Sequence, residues 1–440
     1  MISKNILVLI EAIENIFIGE ENSLQAYHKF TGWTSEQIEK IQDSSELKSS
    51  LSIDLKPIEW MILIAVAAPH LYQETYSRFK FLKNTDSNNF GGLGGKVHQE
   101  TQVYYPTIET ILYLVNGKRI AGRVEAMEVL RPGSPLLKSN LIRTTGNLPE
   151  LSDSSQQLYP GEELLSVLRR EPYQPTYSSN FPATPISTQL NWEDLVLPYE
   201  TLDGLEELKL WMEHREALEE DQEIFRKIKP GYRVLFYGPS GTGKTLTASL
   251  IGKHFNIPVY RVDLSMVVSK WVGETEKNLK NLFDIAENKN WILFFDEADS
   301  IFGKRTQTNS SNDKYANQEV AYLLQRIEDY PGMIILATNL KSNIDAAFNR
   351  RFQATITFPA PDEEMRYQLW EKAFPKGYEY DDEIDLWDIA RSYEVTGGII
   401  SNITRYCILK SMNRQTSKIR YKDLKFAIVR EFRKSGKSVK

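Results

Sequence analysis

The chain of 440 residues has one cysteine, Cys407. No internal disulfide can form, and a cysteine-based metal cluster is excluded. This usage fits a reducing compartment. The five histidines are scattered and offer no metal-ligand spacing. Long apolar runs are missing too. The longest, Trp60 to Pro69, is about half of the roughly 20 residues that a membrane span needs. Positive excess is absent: 53 Lys and Arg face 59 Asp and Glu, for a net charge of −6. That balance gives no general electrostatic reason to bind nucleic acid. Near the start, Glu11 and Glu14 interrupt the apolar pattern, and no small-residue cleavage site follows. The segment does not read as a secretory leader. What remains is ordinary for a folded chain, 41% apolar and 25% charged. A cytoplasmic protein of two or three domains is expected.

Ile6, Ile10, Ile13 and Phe17 recur at helical spacing. A second helix is expected over about 57–68, ending near Pro69. Phe90 to Lys96 is glycine-rich and should break regular structure. Helices follow from Pro106 to Val115 and from Arg123 to Leu130, and Leu136 to Thr144 reads as extended. Four prolines between Glu171 and Thr188 mark a linker. The expected division is a first, mostly helical domain at 1–170, a linker at 171–191, a large domain at 192–362 and a helical domain at 363–440. In the large domain, short apolar runs alternate with helix-length segments: 234–237, 259–262, 292–295, 333–337 and 354–358. Strands alternating with helices imply an α/β fold with a parallel sheet covered on both faces.

The run Val234–Tyr237 leads into Gly238-Pro239-Ser240-Gly241-Thr242-Gly243-Lys244-Thr245, and a helix pattern beginning at Leu246 follows. Glycines let the backbone wrap close to phosphate oxygens and present N–H groups to them. The helix start adds its positive end. Lys244 would reach the outer phosphates, and the Thr245 hydroxyl would ligate Mg²⁺. About fifty residues on, another apolar run ends in Asp296-Glu297-Ala-Asp299. Asp296 can hold Mg²⁺ through water, and Glu297 can polarise an attacking water as general base. A lone Asp-Glu pair is usually a solvated strand end. Here the apolar run before it and the loop upstream favour chemistry. Asp299 reads as structural or as a subunit-contact residue. Together these features predict an ATPase that uses ATP and Mg²⁺.

From about 190 to 420 the sequence resembles the AAA family of ring ATPases. Ser269 to Lys277 looks like the first pore loop, with Lys270, Trp271 and Val272 facing a central channel. Asn339, in Ala337-Thr338-Asn339, is similar to sensor 1 and would orient the water. Arg350 and Arg351 look like arginine fingers that reach the γ-phosphate of a neighbouring subunit. Gly397 and Gly398 are similar to the glycine-containing sensor-2 position. Arg350-Arg351 and the Lys-Trp loop resemble the microtubule-severing and membrane-remodelling branch. Phe302 to Arg305 and Asp313 to Glu319 look like a bacterial group with an N-terminal winged-helix-type domain, some members of which occur beside phage-tail-like contractile injection genes. Tyr105-Pro-Thr107 in the first domain is similar.

The resemblance implies a homo-oligomer, a hexameric ring, that pulls polypeptide through its pore to remodel, unfold or disassemble protein complexes. Bland rivals stand beside each role. Trp271 would otherwise be a core aromatic, the two arginines surface charges, and the glycine pair helix punctuation. Two other functions compete. One is a DNA-interacting motor or loader, which the acidic balance disfavours although 430–440 is basic. The other is an ATP-dependent assembly scaffold.

Overall fold

In the computed structural model the described residues are 55–71, 76, 96–97, 104–116, 120–131, 134–139, 141–144, 156–169, 171, 173–178, 181–227, 230–267, 274–287, 289–298, 311–339 and 350–434. The chain divides into two compact units, Met1–Thr176 and Tyr177–Lys440.

The first unit contains α1 (Pro57–Leu71), the strands β1 (Lys96–Val97) and β2 (Tyr104–Tyr105), then α2 (Ile108–Asn116), α3 (Ile120–Val129) and α4 (Pro135–Lys138). It ends with β3 (Ile142–Thr144), β4 (Leu158–Pro160) and α5 (Glu162–Arg169). The apolar run from Trp60 to Pro69 lies wholly inside α1 and is buried on every side. It is a core helix, and no helix among the described residues is long and apolar enough to cross a membrane. The Tyr76 hydroxyl donates to the Ala65 carbonyl at 2.7 Å. Arg123 and Glu109 join α3 to α2 at 2.6 Å.

Three expectations need adjusting. The first helix continues past Pro69 to Leu71, since a proline in the last turn leaves little helix to disrupt. Pro106 lies before α2, and Thr107 accepts from the Thr110 N–H as a cap. The stretch expected to be extended over 136–144 begins with α4, and only Ile142–Thr144 is strand. The helix expected over 3–18 and the glycine-rich break at 90–95 lie outside the described residues.

The second unit is built on β5 (Ala183–Ile186), α6 (Tyr199–Glu220), α7 (Gln222–Lys227), β6 (Tyr232–Tyr237), α8 (Lys244–Phe255) and β7 (Val259–Val262). It continues with α9 (Leu264–Val267), α10 (Glu274–Glu287), β8 (Ile292–Phe295), α11 (Ser311–Asp329), β9 (Met333–Thr338) and β10 (Ala354–Thr357). The sheet order is β10-β6-β9-β8-β7-β5. Each of the five apolar runs became a strand, and these five pair in parallel. Their central members are buried throughout, as helices on both faces require.

The sixth strand corrects the expected all-parallel sheet. β5 pairs antiparallel to β7, Ala183 opposite Val262, inside the stretch read as linker. Its Pro185 is tolerated because an edge strand needs a ladder on one side only. Phe181 packs edge-on against Tyr260 and Trp291, at 5.4 and 5.9 Å between ring centres.

After Pro361 come α12 (Glu363–Glu371), β11 (Glu379–Tyr380), α13 (Leu386–Ser392), α14 (Gly397–Asn413), β12 (Lys418–Ile419) and α15 (Tyr421–Lys434). Asp362 caps α12 through the Met365 N–H at 2.8 Å, and Asp385 caps α13. Trp370, Ile403, Cys407 and Leu424 centre a separate apolar core. A two-residue parallel pair, β11 with β12, closes it.

Trp370→Ala should cost about 3–5 kcal/mol, read as a lower urea midpoint for this segment. Cys407 supplies a second readout. Burial, with Asp423 nearby, pushes its thiol up to about 12. The thiolate is therefore scarce at pH 8, and alkylation should be slow until Trp370→Ala or denaturant opens the core. Fast labelling of the native wild type would contradict this packing.

Candidate functional site

The loop after β6 is shaped by what flanks it. Gly238 N–H donates to the Thr338 carbonyl at 3.2 Å, so the loop starts where the β6–β9 ladder ends. A Cβ at Gly238 would lie 1.9 Å from the Phe358 carbonyl oxygen, so only glycine fits. Gly241 has φ +77°, and a Cβ there would lie 2.7 Å from Thr396 Oγ1. α8 then starts at Lys244, from a left-handed Gly243.

Lys244 is 7% exposed. Its Nζ donates to the carbonyls of Gly238 (2.5 Å) and Pro239 (2.9 Å) and to Asn339 Oδ1 (3.0 Å). Three oxygens thus hold the ammonium over the loop. Asn339 follows β9 directly, so this asparagine and the loop lysine are in contact. Asp296 and Glu297 follow β8 on the same edge of the sheet. Ala298 N–H donates to the Ala337 carbonyl at 2.9 Å, tying the acid turn to β9. Glu297 has φ 51°, an unusual backbone for a non-glycine residue, and its N–H donates to Asp296 Oδ1 at 3.0 Å. Such conformations persist where the surroundings impose them.

Gly397 and Gly398 open α14, and the Gly398 N–H donates to the Gly241 carbonyl at 3.0 Å. A Cβ on Gly398 would come within 3.0 Å of Gly241 Cα. The two glycine segments are packed backbone to backbone.

These parts surround one cavity of about 540 Å³. Its polar end is Ser240–Leu246 with Asp296, Glu297 and Asn339. The other end is largely apolar and includes Leu195, Val196, Leu197, Met365, Leu369 and Ile400. Size and division suit a small polar ligand with a flat apolar end. Sequence reasoning missed this second half. The 190–197 segment is fixed by Lys253 Nζ, which donates to the Leu190 carbonyl and Asn191 Oδ1, each at 2.9 Å. Lys372 Nζ donates to the Glu193 carbonyl at 2.5 Å. The only sequence signal there is the Asn191/Asp194 capping box, which marks a short helical turn and no ligand.

Arg350 and Arg351 are elsewhere. β10 runs beside β6 with Ala354 opposite Val234 and Thr357 opposite Tyr237. The arginines therefore enter where β6 begins, and the loop leaves from where it ends. Four strand residues put about 13 Å of sheet between them. Arg351 pairs with Glu328 at 2.6 Å, and Arg350 is exposed. Lys270, Trp271, Val272 and Asp299 lie outside the described residues.

The donor set fits a nucleoside triphosphate with Mg²⁺. The loop N–H groups and Lys244 match phosphate oxygens, Thr245 and Asp296 match a hard cation, and the apolar end matches a base. No cluster of three or more His, Cys, Asp or Glu among the described residues forms a metal site without such a ligand.

A glycine loop joining a buried parallel strand to a helix, with an acid pair on the same sheet edge, defines a P-loop nucleotide-binding module. More particularly, residues 234–360 match the family model "ATPase family associated with various cellular activities (AAA)", so the chain carries an AAA domain. The proteasome-activating nucleotidase of Methanopyrus kandleri is 32% identical over 212 residues, covering 46% of this chain and 48% of that one. The proteasome-activating nucleotidase of Methanosphaerula palustris is 37% identical over 204 residues, 44% and 49%. Vacuolar protein sorting-associated protein 4B of Mus musculus is 31% identical over 204 residues, 45% and 46%. The chain spans about half the length of the curated relatives it matches.

Gly241→Ala should weaken nucleotide binding about tenfold, because a left-handed backbone costs an L-residue about 1–2 kcal/mol. Titration with a fluorescent ATP analogue measures it. Unchanged affinity would remove the argument for a glycine-only cradle.

Proposed function

We propose that this chain is an ATP-hydrolysing ring motor that remodels protein complexes by pulling polypeptide through a central pore. The observation that carries the reading is the separation within one chain. The P-loop, Asp296, Glu297, Asn339 and the Gly397-Gly398 start share one cavity, while Arg350 and Arg351 stand at the opposite edge of the same sheet. A site of this kind is completed by the arginines of a neighbouring copy.

ATP with Mg²⁺ would be held by Ser240–Leu246, Thr245 and Asp296. The bound metal supplies charge neutralisation at the phosphates. Glu297 acts as general base toward water, and Asn339 orients that water. Arg350 and Arg351 stabilise transition-state charge in trans, an effect of about 10³–10⁵ in rate. Residues 363–440 serve as the lid. The contact of Gly398 with Gly241 supports this, since any change at the phosphate loop bears on the first turn of α14. Lys270, Trp271 and Val272 form the pore loop that grips the client.

We assign 1–170 as the winged-helix-like partner domain, supported by helices α1 to α5 sharing one core with the β3–β4 ribbon. A phage-tail-like contractile assembly as partner is supported by the resemblance at 302–305 and 313–319. The names of the relatives, a proteasome-activating nucleotidase and a vacuolar protein sorting-associated protein, support protein clients. The resemblance to the AAA family supports a ring of six copies, which we place in the cytoplasm.

ATP turnover per chain should rise steeply with protein concentration. Arg350→Ala should bind ATP normally and turn over about 10³-fold more slowly. Turnover per chain that is independent of concentration, with Arg350→Ala fully active, would sink the shared-site reading. Glu297→Gln should bind ATP, lose hydrolysis by at least about 100-fold and retain protein clients in a pull-down. Trp271→Ala should keep ATP turnover and lose remodelling.

A further inference from the structure

α12 and α13 present an aromatic surface that neither the cavity nor the apolar core of their segment consumes. Trp387 lies on Tyr367 with ring centres 4.3 Å apart and planes within 13° of parallel. Tyr367 packs on the core around Trp370, whereas Trp387 is 45% exposed. An indole stacked on its inner side and open on its outer side is a large apolar surface left to water.

Acids rim the two rings. On α12, Glu363 and Glu364 precede Tyr367 by four and three residues and Glu371 follows it by four. All of them share its face, while Arg366 and Trp370 turn inward. Asp388 follows Trp387 in α13 and is exposed. Glu363 pairs with Arg391 at 3.8 Å. Among the described residues Glu364, Glu371 and Asp388 form no ion pair. Nor does any cation among them stand over either ring, although six such contacts occur elsewhere. The face therefore suits an ammonium group, since indole is the best cation–π acceptor and carboxylates surround it.

A source of such a group follows α15. Residues 435–440 lie outside the described residues and read Ser-Gly-Lys-Ser-Val-Lys, two lysines and no acid. α15 delivers them to the right end of the segment. Phe432, two residues before the helix ends, has its ring 5.9 Å from that of Tyr393, which directly follows α13. Trp387 stands six helical residues before Tyr393, about 9 Å along the axis. Lys437 is five residues beyond Phe432 and Lys440 is eight, extended reaches of about 17 and 28 Å. Both lysines can meet the stacked rings.

We propose that residues 435–440 dock on this face of their own chain, one lysine ammonium over Trp387 and the other among Glu364, Glu371 and Asp388. Exposed ion pairs and a surface cation–π contact are each weak. That favours the tethered segment over a free basic peptide, because a short tether supplies an effective concentration in about the millimolar range. On its other side α12 carries Met365 and Leu369 of the cavity wall. The docked segment thus braces from behind the helix that bounds the apolar end of the cavity. The proposal needs neither bound nucleotide nor a ring.

The test is zero-length carbodiimide cross-linking of the full chain, mapped by mass spectrometry, on an equal mixture of ¹⁴N- and ¹⁵N-labelled protein. Lys437 or Lys440 should be joined to Glu364, Glu371 or Asp388, in peptides of a single isotope. Trp387→Ala should lower that yield about two- to fivefold. Glu364→Lys with Glu371→Lys should lower it further. Adding Lys437→Glu with Lys440→Glu should bring the links back with amine and carboxylate exchanged. The substituted side chains are exposed or lie outside the described residues, and ATP-analogue binding checks the fold of each variant. Links from the two lysines that map elsewhere overturn the proposal, as do yields that Trp387→Ala and the charge reversal leave unchanged. Links of mixed isotope overturn it in favour of a second copy as the occupant. None of these outcomes bears on ATP turnover or on Arg350→Ala, so the ring reading stands or falls separately.

Discussion

β6 and β9 pair in register along six residues, Tyr232 with Met333 through Tyr237 with Thr338. The candidate site depends on the end of that ladder. Its last rungs aim the phosphate loop and Asn339 at the same point, and Lys244 closes the gap through Asn339 Oδ1 at 3.0 Å. A register slip would turn every side chain of β6 to the other face and carry the loop with it. The pairing is protected by burial: β6 lies between β10 and β9, and the Arg233 side chain at its start donates to backbone carbonyls of Pro230, Gly231 and Glu328. A buried guanidinium whose N–H groups meet carbonyls costs less than one left unsatisfied.

The C-terminal segment meets the loop at the end of this ladder backbone to backbone. Gly398 N–H reaches the Gly241 carbonyl, and neither position has room for a side chain against the other. A backbone contact of this kind transmits small movements, because close-packed groups have nowhere to relax. It also explains why two glycines 157 residues apart in sequence share one wall of the cavity. On the proposed function, this is the contact through which phosphate chemistry would move the lid.

Much of this was legible in the chain. Each of the five parallel strands announced itself as a short apolar run, because a strand covered on both faces has no polar side. The loop Gly238–Thr245 and the acids Asp296 and Glu297 were legible because the chemistry dictates residue type at fixed spacing. β5 was hidden. Its Pro-Ser-Thr composition matches a linker, and an edge strand needs only half a ladder to form. The apolar end of the cavity was hidden too. Val196, Leu197, Met365 and Ile400 come from three separate segments, and apolar residues carry no mark that separates a ligand wall from a core.

Local sequence alone determined the P-loop, the acid pair and the strand set, since each rests on residues adjacent in the chain. Tertiary structure decided what those parts meet. It placed Asn339 on Lys244 and Gly398 on Gly241, contacts that span 95 and 157 positions and follow from sheet order rather than from spacing. It also put Arg350 and Arg351 at the far edge of their own sheet. A motif states the chemistry that a residue can perform, but only the pairing of strands fixes which end of the sheet it occupies. That is why Arg350 and Arg351 stand away from the phosphate loop of their own chain.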